Sequence, residues 1–323
     1  MTETRSGIQV LSNHLIRRSP NKSDLLRRTP ITLTDRDSQI LEAVALHGFL
    51  TADLVEIAFF PPTGEARRSP SSCAYERLQQ LWRWSLLDRV ELPVARVLGG
   101  RRPYLYTLGS RGRPIVEQSW KTPVPQKRLD RWSPWFIEHD LKAAAVWANL
   151  KALLRGKEIQ LVTWISERDL RARKLWVTDP QTNRRLPFLP DGYFSLGYPD
   201  GRTQVCLLEI DMGTLTLHRF RRKVRGLELA LENGLFEREF GYDSFEVLIL
   251  THSLARLEQL QRSANEEVEG SEREWYFLAT FELLSPDQFA GAGWLRLDGG
   301  SYHLLYGDEE DAGDTREGDE EHG

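Results

Sequence analysis

Three carboxylates separated by a turn-forming spacer are the residues best suited to chemistry in this chain. Asp191 stands in Phe188-Leu189-Pro190-Asp191-Gly192-Tyr193-Phe194, while Glu209 and Asp211 close the apolar run Val205-Cys206-Leu207-Leu208-Glu209-Ile210-Asp211. Between the two runs lies Gly197-Tyr198-Pro199-Asp200-Gly201, a turn-rich segment that predicts a β-hairpin. Side chains alternate along a strand, so Glu209 and Asp211 share a face, the one toward which Asp191 can lie. Three carboxylates gathered on an apolar sheet repel one another and lose hydration unless a cation or proton compensates. Mg²⁺, a hard ion that prefers oxygen ligands, is the simplest compensation, with Mn²⁺ as its substitute. The expected metal ligands are therefore Asp191, Glu209 and Asp211.

Pro-Asp, a hairpin spacer and an apolar run ending in Glu-x-Asp resemble the core of the PD-(D/E)XK nuclease superfamily. The standard form of that core ends in Glu-x-Lys, so Asp211 stands where a lysine is expected. The N-terminal phrases Leu33-Thr34-Asp35-Arg36-Asp37, Trp84-Ser85-Leu86-Leu87-Asp88-Arg89 and Tyr104-Leu105-Tyr106-Thr107-Leu108 extend the likeness. The whole pattern, over roughly residues 31–300, is similar to the replication-relaxation family of bacterial mobile elements, in which the Glu-x-Asp form looks usual. The resemblance implies that the carboxylates hold Mg²⁺, which activates water and stabilises the phosphorus transition state. It also implies a lysine that supplies positive charge to the nucleophile or the phosphate. Asp211 cannot do that. Lys223, in the helix that follows, is the nearest substitute, with Arg219 and Arg222 beside it. The implied catalytic set is Asp191, Glu209, Asp211 and Lys223.

These residues need elements to hold them, and the N-terminal half supplies a second set. Thr34, with Asp35 and Asp37 in the first turn, predicts a helix buried through Ile40, Leu41, Val44 and Ala45 and ended by Gly48. Thr51 caps a second helix, stopped by Pro61-Pro62, and a third is expected over residues 71–86. In the third, Ala74, Leu78, Leu81 and Trp82 form the inward face, while Ser72, Tyr75, Gln79 and Arg83 share the other at helical spacing. Two strands, 89–92 and 104–108, flank a tip with Gly99-Gly100 and the cations Arg96, Arg101 and Arg102. Three helices and a basic hairpin make a winged helix-turn-helix, its third helix in the major groove of DNA and its hairpin on the phosphates. Ser72, Tyr75, Gln79, Arg83, Arg96, Arg101 and Arg102 are the expected DNA contacts.

Downstream, a long helix over residues 135–155 carries Glu138-His139-Asp140 near its start, a candidate accessory ligand or proton-transfer group. A strand at 161–165 precedes the hairpin, and a helix at 214–231 follows it. That helix turns Leu217, Phe220, Val224, Leu227 and Leu231 inward and puts His218, Arg219, Arg222, Lys223 and Arg225 on a basic side. Strands at 245–251, 275–280 and 294–297 and a helix from Ser253 complete the order expected of a mixed sheet covered on both faces. The fold class is thus mixed α/β. The domains are a basic arm (1–30), a winged helix (31–119), a linker (120–134), a nuclease-like domain (135–306) and an acidic, disordered tail (307–323).

Composition narrows the partners. Of 323 residues, 40% are hydrophobic and 28% charged, as in a globular protein, and no apolar run approaches a membrane span. Cys73 and Cys206 fall in different domains, which fits a reduced, cytoplasmic protein. The net charge of −4 conceals an uneven distribution. Residues 308–323 carry nine acids against Arg316, whereas residues 1–128 hold 20 Lys+Arg against 12 Asp+Glu. A basic N-terminal half suits a polyanion. No P-loop, CxxC pair or G-x-S-x-G turn is present. Two readings follow. One is a DNA-binding protein of element replication or transfer with a Mg²⁺-dependent nuclease-like domain. The other is a non-catalytic initiator or regulator whose nuclease fold grips DNA or another replication or transfer protein.

Overall fold

Thr34 opens the first helix through a reciprocal cap. Its side chain accepts from the Asp37 N–H, and the Asp37 carboxylate accepts from the Thr34 N–H at 2.7 Å. Such a cap satisfies two amides that a helix start otherwise leaves unpaired. The computed structural model describes residues 32–60, 72–91, 104–124 and 133–305, apart from 269, 290 and 292. The basic arm, the hairpin tip with Arg96, Arg101 and Arg102, and the acidic tail lie outside the described residues.

Helix α1 (Asp35–His47) ends at Gly48, whose φ of 80° is the left-handed cap that glycine adopts without strain. α2 (Ala52–Phe59) begins at the predicted cap Thr51. α3 (Ser72–Arg83) stops three residues before the expected end, because Ser85 turns the chain at φ 60°. β1 (Leu87–Glu91) and β2 (Tyr104–Leu108) pair antiparallel, and Leu50 bridges to Tyr106. Arg77 of α3 ties back to Asp37, with its Nε 2.6 Å from Oδ1. The apolar positions Ile40, Val44, Val55, Leu78 and Leu81 close one core between these helices.

α4 (Gly112–Trp120) was not expected, since Gly112 and Pro114 read as breakers. Gly112 is required by close approach, because a Cβ there would meet the Leu86 carbonyl at 2.1 Å. Val116 and Val124 join the N-terminal core, so the segment expected to begin a linker at 120 starts inside that unit. α5 (Pro134–Leu153) is capped by Ser133, and its two sides serve two cores. Ala144, Trp147 and Ala148 pack with the N-terminal helices, while Val146 and Leu150 pack on the sheet.

The remaining elements are β3 (Gln160–Ser166), α6 (Glu167–Arg173), β4 (Trp176–Asp179), β5 (Arg184–Pro187), β6 (Gly192–Gly197), β7 (Thr203–Asp211), α7 (Leu217–Glu232), α8 (Leu235–Phe240), β8 (Glu246–Thr251), α9 (Leu254–Asn265), β9 (Tyr276–Thr280), α10 (Pro286–Phe289), β10 (Trp294–Arg296) and β11 (Ser301–Tyr302). Seven strands form one mixed sheet in the order β11-β10-β9-β8-β7-β6-β3. β7, β8 and β9 run parallel at its centre, and the other neighbours are antiparallel. The central strands are buried on both faces, as parallel strands are in covered sheets. α7 and α9 cover the face that carries Leu207 and Ile249, and α5 covers the face that carries Leu208 and Leu250. The mixed α/β class is therefore the one expected. α6 and the separate β4–β5 ribbon were not anticipated.

Candidate functional site

The β6–β7 hairpin fixes the first two carboxylates. Gly192 pairs with Leu208, so the next step of the antiparallel register sets Asp191 opposite Glu209. The Asp191 backbone N–H donates to the Leu208 carbonyl at 2.8 Å, and its Oδ2 accepts from the Ile210 N–H at 2.7 Å. The aspartate is thus locked to the strand end by main chain on both sides. Glu209 sits one position along β7, buried, on the face covered by α7.

The lysine comes from that helix. Thr216 caps α7, and Phe220, Val224 and Leu227 press it onto the sheet. Lys223 lies three residues after Phe220 and four before Leu227, which places it on the buried stripe and not on the basic side expected from its neighbours. Its Nζ donates to Asp191 Oδ1 at 3.1 Å and pairs with Glu209 Oε2. Arg219 and Arg222, the other candidates, are exposed. His139, near the start of α5, completes the group: its Nε2 is 3.3 Å from Asp191 Oδ2, and its Nδ1 is 3.6 Å from Asp140 Oδ1. A cavity of about 190 Å³ is lined by His139, Asp191, Glu209, Asp211 and Lys223.

Asp211 lines the same cavity with its charge already taken. Arg256 of α9 grips both carboxylate oxygens, Nε to Oδ2 at 2.8 Å and Nη2 to Oδ1 at 3.1 Å. Thr251 donates a further hydrogen bond to Oδ2 at 2.9 Å. The sequence predicts three carboxylates that need a cation to offset them; two of them share Lys223, and the third pairs with Arg256. Arg256 was missed because it lies 45 residues beyond Asp211, and only the β7–β8 pairing brings its helix there.

The charges divide unevenly. Burial opposes the Asp191 anion, yet Lys223, His139 and the Ile210 amide together hold its carboxyl well below the usual range. Burial pushes Glu209 up to about 8, because Lys223 only partly offsets the lost hydration and the Asp191 charge adds to it. For Lys223, burial favours the neutral amine, but Asp191 and Glu209 hold it above its ordinary value. Burial likewise opposes His139, whose contacts with Asp140 and Asp191 raise it to about 10. Glu209 Oε1 is buried with no partner among the described residues, a deficit that costs about 1–3 kcal/mol unless something fills it. An oxygen-seeking cation fits that deficit, and Asp191 and Glu209 are the residues that fit it together. His139, Asp140 and Glu167 also bring one ligand atom each within 4.8 Å of one another.

Of the expected DNA contacts, Ser72 opens α3, Tyr75 and Gln79 are half-buried and Arg83 is exposed. Arg89 of β1 stacks over Trp82 at 3.5 Å and Tyr104 at 4.5 Å, which fixes the strand pair to α3. The family model described as replication-relaxation matches residues 41–242, a span that includes α3, the β1–β2 pair, the two carboxylates and Lys223. No curated protein and no solved structure matches the chain.

Proposed function

The chain belongs to the replication-relaxation family, and from that membership we propose a DNA-binding protein of mobile-element replication and mobilisation that hydrolyses DNA phosphodiesters. The single observation that carries the hydrolytic part is Lys223. It approaches Asp191 and Glu209 from α7, so a cation stands beside the carboxylate pair although the strand carries Asp211 at the usual lysine position. The centre is that of a PD-(D/E)XK nuclease with its lysine moved to a helix, on a domain running over residues 135–306.

Asp191 and Glu209 are the residues that would hold Mg²⁺ or Mn²⁺, and the ion would supply an activated water and a counter-charge to the phosphate. The chain's own groups do the rest. The Ile210 amide and His139 orient Asp191 and keep it ionised. Lys223, held as an ammonium, offers positive charge to the phosphate or to the attacking oxygen. Arg256 neutralises Asp211, which keeps a third negative charge from repelling the DNA.

The N-terminal unit is read as a winged helix-turn-helix over residues 31–119. Three helices, a short bridge at Leu50 and the β1–β2 pair support it. α3 would enter the major groove through Tyr75, Gln79 and Arg83, and the hairpin arginines 96, 101 and 102 would lie on phosphates. A second reading, a scaffold that grips DNA without cutting it, is favoured by the Asp211–Arg256 pair, which removes one expected ligand. Incubation of the protein with supercoiled plasmid separates the two. The hydrolytic reading expects Mg²⁺- or Mn²⁺-dependent nicking that Glu209→Gln abolishes without loss of DNA retention in a gel. Retention without nicking by the wild type would leave the scaffold.

A further inference from the structure

Away from the carboxylate site, a cleft of about 550 Å³ opens between the N-terminal helices and the sheet. Arg36 of α1, Lys151 near the end of α5, and Arg155 and Lys157 just beyond it line the cleft, and no described Asp or Glu does. Arg155 is held in place: its Nη2 donates to the Ile57 and Ala58 carbonyls of α2 at 3.1 and 3.2 Å. Those carbonyls are the unpaired acceptors of a helix end, so they fix the guanidinium without neutralising it. Burial and the neighbouring Arg36 charge both hold Arg155 below its ordinary value, a sign that the cations here crowd one another. Arg36 itself rests over the Phe60 ring at 4.7 Å. Arg36, Lys151 and Arg155, kept together on a fixed frame with no described acid lining the cleft, form a site for a polyanion.

We propose that this cleft is a second DNA-binding site, which takes the phosphate backbone where the DNA passes from the N-terminal unit to the sheet. The inference rests on the DNA-binding reading above and adds a location to it. A phosphate chain is the favoured occupant because the lining offers several separated cations and few groups that could read a base edge. Lys151 stands twelve residues beyond His139 on α5, about 18 Å along the helix axis. The cleft and the carboxylate site are therefore the two ends of one helix, both built partly from it. Backbone held at one end constrains which phosphate reaches the other.

The test is the binding of a fluorescent 30-base-pair duplex by the full chain, measured by anisotropy from 50 to 300 mM salt. Arg36→Glu/Lys151→Glu is the cleft variant. Both side chains are exposed, and an acid at position 36 suits the first turn of α1. Arg184→Glu/Arg185→Glu, on the exposed β5, makes the same change of net charge elsewhere. Expected are an at least tenfold weaker Kd at 50 mM salt for the cleft variant and a salt slope smaller by about two, because two phosphate contacts are lost. The β5 variant should stay within threefold of wild type. Equal weakening by both variants, or an unchanged slope in the cleft variant, would overturn the cleft. Absence of binding by the wild type would instead remove the DNA-binding reading itself, and the cleft with it. Should the charge reversals fail to fold, Arg36→Gln/Lys151→Gln must still lower the slope.

Discussion

At the scale of single residues, the site balances the carboxyl groups of Asp191 and Glu209 against the Lys223 ammonium. Lys223 keeps a quarter of its side chain exposed, while Asp191 and Glu209 are nearly covered. Lys223→Met should therefore destabilise the protein by about 3 kcal/mol, the lower end for breaking a buried pair. Saturating Mn²⁺ should restore most of that loss, which denaturant melts with and without the ion would measure. Arg256→Gln should cost a similar amount because it strips Asp211 of its partner, but Asp191 and Glu209 are untouched and Mn²⁺ should stabilise it no more than wild type. Glu209 adds a pH signature. Burial raises its folded pKa from 4.5 to about 8, so the native state keeps a proton that the unfolded chain has released. Its contribution to stability is present below about pH 4.5 and is lost as pH rises toward 8. In EDTA, the melting temperature of Glu209→Gln should fall less between pH 5 and 9 than that of wild type.

Elements were legible where their ends carry chemistry. Thr34 with Asp37, Thr51, Gly48 and Ser253 each mark a boundary that the structure keeps. The central hairpin was readable from its Gly-Pro-Asp turn, and with it the approach of Asp191 to Glu209. α4, α6 and the β4–β5 ribbon were not readable, because breakers or arginines obscure their periodicity. The inward turn of Lys223 was hidden in the same way, since four arginines on α7 surround it in sequence. The Asp211–Arg256 pair has no local signal at all. Asp37 caps α1 and receives Arg77. Burial opposes its charge, but Arg77 and the Thr34 amide and hydroxyl hold its carboxyl below the ordinary value. The stability it adds is full above about pH 4 and disappears as pH falls through the lower folded value. Asp37→Asn should remove at least the 1 kcal/mol or so of a lost cap and flatten the acid side of a melting-temperature profile from pH 2 to 6.

On the scale of the whole molecule, α5 joins the parts. Trp147 faces the N-terminal core at 4.9 Å from His47, Leu150 faces the sheet, and His139 reaches Asp191. The N-terminal unit and the carboxylate centre share this helix and so hold a fixed separation, which, on the function proposed above, suits cleavage at a set distance from a bound sequence. Everything in that arrangement depends on Asp191 and Glu209 being a cation site and not only the partners of Lys223. Titration calorimetry of Mn²⁺ into the wild type and Asp191→Ala at pH 8 measures this directly. Saturable binding by the wild type that the substitution abolishes is the expected result. No binding heat for the wild type, with or without a DNA duplex present, would contradict it.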